Sequence, residues 1–178
     1  LIFLLTFTSG FSVVLPAVQK ALSDDSPLVI SVATTLLDNL CKTMSNKVVE
    51  DILGNLIRLL KVESKKEAAL RAVTQVASVR PKYALRIMIP VFSRAPIHMF
   101  EANALVEISK VADESLQLYI GTIVENFLET IEEEPETGRQ YLQNWALALP
   151  ASSRQSFLAE LKEALVDETN SEAYRNDA

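Results

Sequence analysis

The stretch Tyr83-Ala84-Leu85-Arg86-Ile87-Met88-Ile89-Pro90-Val91-Phe92 reads as an apolar-periodic helix with a proline inside it. A proline there removes a backbone hydrogen bond and kinks the helix. The arrangement recurs along the chain. A branched or long aliphatic residue followed by Pro or Gly appears as Leu15-Pro16, Leu53-Gly54, Ile89-Pro90 and Ile120-Gly121, at steps of 38, 36 and 31 residues. Each pair falls in a segment with helical apolar spacing, at residues 13–22, 48–60, 83–92 and 116–131.

A second set of marks falls between these helices. Pro27, Pro96 and Pro135 each precede another helical pattern, and proline is favoured at the first helical position, where its missing N–H costs nothing. Lys65 holds the equivalent place in the second unit, 38 residues after Pro27 and 31 before Pro96. The second helices are therefore expected at 28–44, 65–79, 97–112 and 136–147. A last helix is expected at 152–166, capped by Ser152 or Ser153, and the polar tail 167–178 reads as the start of one more.

These marks give a period near 36 residues and about four and a half helical hairpins. The predicted fold is all-α, a HEAT/armadillo-like α-solenoid of stacked antiparallel helix pairs with about nine helices. It forms a single solenoid over residues 1–178, with units of about 1–46, 47–80, 81–113, 114–150 and a partial 151–178. The Trp and Gly-x-x-Tyr pattern of tetratricopeptides is absent, and a kinked first helix followed by an acidic turn fits HEAT better. In the first unit the turn Ser23-Asp24-Asp25-Ser26-Pro27 is followed by Val29, Ala33, Leu36 and Leu40, which are expected to line the interior. Ile30 stands where HEAT units often place a basic residue. One hairpin cannot bury its apolar face alone, whereas stacked neighbours bury each other's.

Composition agrees and excludes several function classes. Of the 178 residues, 49% are hydrophobic and only four are glycine, which is too apolar for disorder and too poor in turns for a β-sandwich. The lone Cys41, within the apolar run 36–44, reads as a buried small hydrophobe in a reducing compartment. The lone His98 lies at a helix start, so no nucleophilic triad is in view. Gly10, Gly54, Gly121 and Gly138 are isolated and build no phosphate loop. The reading is a protein with no catalytic residues, no cofactor, no metal and no small-molecule substrate. Residues 1–19 carry no charge, but seven of them are Thr6, Thr8, Ser9, Gly10, Ser12, Pro16 and Gln19. That polar content reads as a buried solenoid helix cut from a longer chain, not as a membrane span.

Charge is divided unevenly. Residues 1–100 hold 12 basic and 7 acidic residues, whereas residues 101–178 hold 5 basic and 16 acidic. The basic excess is concentrated in Arg58, Lys61, Lys65, Lys66, Arg71, Arg80, Lys82, Arg86 and Arg94. Several of these are expected to share one edge of the solenoid. The first eight, Arg58 to Arg86, are the candidate partner-binding residues, suited to an acidic protein surface or to RNA phosphate. No aromatic residues interleave with them as a single-strand platform requires, which favours a solvated solenoid edge over RNA contact. Glu125, Glu129, Glu132, Glu133, Glu134 and Glu136 form an acidic counterpart that reads as a charged helix end and turn.

One succession of motifs is recognisable. It begins with Val48-Val49-Glu50-Asp51-Ile52-Leu53-Gly54-Asn55-Leu56 and Glu67-Ala68-Ala69-Leu70-Arg71-Ala72-Val73-Thr74-Gln75-Val76. Val79-Arg80-Pro81, Ile87-Met88-Ile89-Pro90, Ala95-Pro96-Ile97, Asn103-Ala104-Leu105 and Ile108-Ser109-Lys110-Val111-Ala112 follow. In order and spacing, over about residues 12–125, it resembles the C-terminal HEAT array of the eukaryotic general-control translational activators. Gly54 and Asp113 stand where that family has proline and glycine. The resemblance implies a cytoplasmic, non-catalytic scaffold that binds translating ribosomes, with RNA contact only through the ribosome. It would relay uncharged-tRNA signals to the kinase of initiation factor two alpha during amino-acid starvation. This region would lie in or near the part that holds the RWD domain of that kinase. No individual binding residue carries over. The alternative expectation is another HEAT adaptor, such as a segment of a nuclear transport receptor.

Overall fold

A computed structural model describes residues 14, 16–18, 20–22 and 24–176. All the regular structure among them is helical. The chain divides into two units, residues 1–87 and 88–178, with the division inside one helix.

In the first unit, the helical residues 14, 16–18 and 20–22 lead to a turn in which the Ser26 N–H donates to Asp24 Oδ1 at 2.9 Å. Helix α1 follows, Pro27–Thr43, with its proline at the helix start as the sequence predicts. Helix α2 is Asn46–Leu59, and a short 3-10 turn at Glu63–Lys65 leads into α3, Lys66–Val79. Helix α4, Pro81–Phe92, begins in this unit and runs through Pro90. α3 packs against both α1 and α2. Its buried face explains how: Ala68, Ala69, Ala72 and Ala77 are small enough for two helices to approach, and Val73 and Val76 fill the remainder. α2 answers with Val49, Ile52, Leu53 and Leu56, and α1 with Ala33, Leu37 and Cys41.

The interior set predicted for α1 is corrected here. Ala33 is buried as expected, but Leu37 and Cys41 are its companions, and Leu36 is 43% exposed. α1 carries apolar residues on two faces, and the sequence pattern merges them.

The second unit contains α5, Met99–Val111, a 3-10 segment at Asp113–Tyr119, α6, Ile120–Glu133, α7, Pro135–Ala148, and α8, Ala151–Asn176. α7 packs against α5 and α6, and α6 packs against α8. Trp145 of α7 is the centre. It is fully buried, with the Phe127 ring 5.5 Å away on one side and the Phe157 ring 5.8 Å away on the other. Its indole N–H donates to Ser109 Oγ at 2.8 Å, which satisfies the one polar atom the ring brings inside. Thr130 also uses both capacities of its hydroxyl. It accepts from the Ile97 N–H at 2.9 Å and donates to the Asn126 carbonyl at 2.7 Å. Gly138 meets Ile131 so closely that an added Cβ would lie 2.9 Å from its Cα.

Three boundaries differ from the sequence reading. Pro96 does not start a helix: it follows a cis peptide bond after Ala95, and α5 begins at Met99. The helix expected at 116–131 begins only at Ile120, so Gly121 lies in its first turn and not at a kink. The last helix is one continuous element to Asn176, already begun when Ser152 and Ser153 are reached. Pro135 does occupy a helix start.

Several side-chain bonds between elements have a similar reach. Asn46 to Tyr83, Glu50 to Arg86, Ile97 to Thr130, Ser109 to Trp145 and Gln117 to Ser152 span 33 to 37 residues. That is one repeat, matching the period of the proline and glycine marks.

Candidate interaction surface

The eight candidate basic residues do not form one patch. α3 has 14 residues, so its ends lie about 20 Å apart, and the candidates are divided between them. Arg58 is in the last turn of α2, Lys61 and Lys65 are exposed in the connection to α3, and Lys66 opens α3 beside the Glu63 carboxylate at 3.8 Å. Arg58 donates to Asn55 Oδ1, at 3.3 Å, one turn back on its own helix. These four share the α2–α3 edge. Arg71, in the second turn of α3, reaches toward the Leu22 carbonyl at 3.5 Å, the limit for a hydrogen bond.

At the other end of α3, Arg80 is occupied internally. Its Nε donates to the Cys41 carbonyl at 3.0 Å, and its Nη2 to the Lys42 and Met44 carbonyls at 3.1 and 3.2 Å. Its Nη1 donates to Asn46 Oδ1 at 3.2 Å. The last carbonyls of a helix have no partner within the helix and carry the negative end of its dipole. A guanidinium with its fixed fork of donors satisfies both needs at the end of α1. Lys82 is exposed nearby, in the first turn of α4. Arg86 pairs with Glu50 at 2.9 Å, but the pair is largely solvent-exposed and contributes little to stability.

Cys41 is completely buried. Burial pushes its thiol up from 9.0 to about 11, against the opposing pull of the Arg80 charge and with a smaller push from Asp38. A thiol in that state is neither a nucleophile nor a metal ligand near neutral pH. His98 is exposed and caps the start of α5, its carbonyl accepting from the Ala102 N–H. The six glutamates all lie on exposed positions of α6, α7 and the turn between them. Among the described residues no group of His, Cys, Asp or Glu is arranged to hold a metal, and no helix is long and apolar enough to cross a membrane.

One residue of consequence escapes the sequence reading in kind. Arg80 is expected on a binding edge and instead terminates α1. The signal available was its place immediately before Pro81, between two helices, where a long side chain can reach the preceding hairpin.

The packed helix pairs define the class: an all-α protein of the HEAT-type α-solenoid kind. No family model matches the chain, and no solved structure matches it. Among curated proteins it is similar to the eIF-2-alpha kinase activator GCN1 of Dictyostelium discoideum, 31% identical over 122 residues, or 67% of this chain. The stalled ribosome sensor GCN1 of Mus musculus is 27% identical over 128 residues, or 72% of this chain. The eIF-2-alpha kinase activator GCN1 of Saccharomyces cerevisiae is 25% identical over 137 residues, or 75% of this chain. The chain is thus a GCN1-like segment, and it spans about 5% of the length of the curated relatives it matches. The similarity does not favour a nuclear transport receptor.

Proposed function

We propose that this chain is a non-catalytic scaffold segment in translational stress control, and that the α2–α3 edge presents Arg58, Lys61, Lys65 and Lys66 to an acidic protein surface. The relatives are named for activating the eIF-2-alpha kinase and for sensing stalled ribosomes, and the similarity extends over two thirds or more of this chain. The partner that fits this role is the RWD domain of that kinase, with the ribosome as the larger platform and the cytoplasm as the setting. Relaying the uncharged-tRNA signal would then be a matter of holding the kinase in place.

The observation that carries the reading is the accessibility of the edge. Lys61 and Lys65 stand in solvent, and the exposed Arg58 contacts its neighbour Asn55. Charges placed this way steer association and set partner choice more than they contribute affinity. Arg80 and Arg86, engaged within the first unit, contribute to the field without being the contact; Arg71 lies in the second turn of α3, and Lys82 lies beyond the far end of that helix.

The test is a triple reversal, Arg58→Glu, Lys61→Glu and Lys65→Glu. Capture of the RWD domain and of ribosomes should fall by roughly tenfold or more and become less salt-dependent, while the melting curve stays in place. Unchanged capture of both would sink the proposal.

A further inference from the structure

Two exposed serines of the first unit stand between basic residues. Ser45 has Lys42 three residues before it and Lys47 two after, and Ser64 has Lys61 three before and Lys66 two after. A kinase with an acidic substrate groove selects basic residues on both sides of a serine. It also needs the segment around that serine to open, and here the two sites differ. Only Met44 and Ser45 separate α1 from α2. Arg80 holds the link through the Cys41, Lys42 and Met44 carbonyls and through Asn46 Oδ1. Asn46 Nδ2 donates in turn to the Tyr83 hydroxyl at 2.6 Å, and Lys42 is paired with Asp38. Ser45 can be presented only by breaking these bonds.

Ser64 lies in the longer connection between α2 and α3, inside the 3-10 turn Glu63–Lys65. Between the buried Leu60 and the buried Ala68, no residue of the stretch 61–67 is buried. The turn is closed by short-range backbone bonds, from the Val62 N–H to the Leu59 carbonyl at 3.0 Å and from the Lys65 N–H to the Val62 carbonyl at 2.8 Å. Opening it uncovers no core side chain, and water replaces the lost bonds, so the free-energy cost is small.

Charge sets the consequence. Residues 58–67 carry Arg58, Lys61, Lys65 and Lys66 against Glu63 and Glu67, an excess of two positive charges. A phosphoserine carries about −1.5 to −2 at pH 7, which matches that excess. Ser64 also lies just before the first turn of α3, where the helix dipole favours an anion. A phosphate there neutralises the edge without melting the helix.

We propose that Ser64 is a phosphorylation site for a basophilic serine kinase, and that its phosphate cancels the positive excess of the α2–α3 edge. The Ser64 hydroxyl oxygen attacks the γ-phosphorus of magnesium-bound ATP. The new O–P bond forms as the bond to the β,γ-bridging oxygen breaks, ADP leaves with that electron pair, and the hydroxyl proton passes to the carboxylate base of the kinase. The consequence rests on the edge being the partner-binding surface proposed above: phosphorylation releases an acidic partner.

The test treats the full 178-residue chain with magnesium-ATP and the catalytic fragment of protein kinase C, and maps the phosphate by mass spectrometry. Ser64 should be modified roughly tenfold faster than Ser45, because only its segment opens cheaply. Lys61→Gln with Lys66→Gln should slow the reaction roughly tenfold, and Ser64→Ala should abolish it at this site. No phosphate on Ser64, equal rates at the two serines, or a double variant as fast as the parent would overturn the proposal. Phosphorus NMR then reads the charge pairing without any partner. The second ionisation of a phosphoserine lies at about 6, and neighbouring cations should lower it by roughly half a unit or more in the folded chain. The same midpoint in the folded chain and in urea would overturn the cancellation. Finally, capture of the RWD domain should fall roughly tenfold on phosphorylation with the melting curve unmoved, and capture that survives would overturn the release. If the unphosphorylated chain captures no RWD domain, the partner proposed above falls, while the mapping and the titration still decide Ser64.

Discussion

The two units solve one packing problem with opposite materials. Residues 1–87 hold eleven basic and seven acidic residues, and residues 88–178 hold six basic and sixteen acidic. The first unit engages part of its positive surplus within itself: Arg80 ends α1, Arg86 pairs at the surface with Glu50, and Arg71 reaches toward the Leu22 carbonyl. The second unit keeps the six-glutamate cluster at the surface and is centred on Trp145 between two rings. Net charge is therefore a poor guide to which residues are available for a partner. A surplus that finishes helices is already occupied.

The largest effect expected is Trp145→Ala. It removes a fully buried ring and strands Ser109, so urea unfolding followed by circular dichroism should show a loss of about 3–5 kcal/mol. Trp145→Phe should lose less, and equal losses would mean that the rings around it contribute nothing. Arg80→Ala is the matching break in the first unit. It leaves three carbonyls at the end of α1 without their donor, at a cost of about 1.5–3 kcal/mol. Hydrogen exchange should rise first in the last turn of α1, and unaltered protection there would show that water replaces the guanidinium.

Gly138→Ala should cost about 1–3 kcal/mol, because the new Cβ meets the Ile131 backbone, which has no flexible end to move aside. Gly54→Ala, with nothing near its Cβ, should stabilise slightly, by about 0.5–1 kcal/mol. If the two variants behave alike, the close crossing of α6 and α7 is not real. Cys41 sharpens the comparison through pH. Its thiol stays neutral in the fold up to about 11, while the unfolded chain ionises near 9.0. Stability of the first unit should therefore be flat below about pH 9 and decline between pH 9 and 11. Cys41→Ala should remove that decline, and a decline of the same size in the variant would place its origin elsewhere.

Much of the architecture is legible in the residues because proline acts locally. Pro27 and Pro135 mark helix starts wherever the chain is read, since their missing N–H is tolerated there. Pro96 carries the same local signal and fails, because the next N–H, of Ile97, is held by Thr130 from thirty-three residues away. Leu36 and Leu37 show a second limit. Both are leucines in one helix with apolar spacing on two sides, and only the position of α3 decides which one is core. At the candidate edge the charges are visible in the sequence, but whether a guanidinium's donors are already taken is not. That is why Arg58 and Arg80 look equivalent as letters and differ as groups.

The shared reach of several side-chain bonds has a consequence for how the chain is made. Ser109 meets Trp145, Asn46 meets Tyr83, and the end of α1 meets Arg80, each partner lying 36 to 39 residues further along. During synthesis, each of these helix ends therefore waits for about one further hairpin to emerge. Maturation can follow the growing chain at a fixed lag of one hairpin, and no stage of synthesis has to await the last residues for the first to be secured.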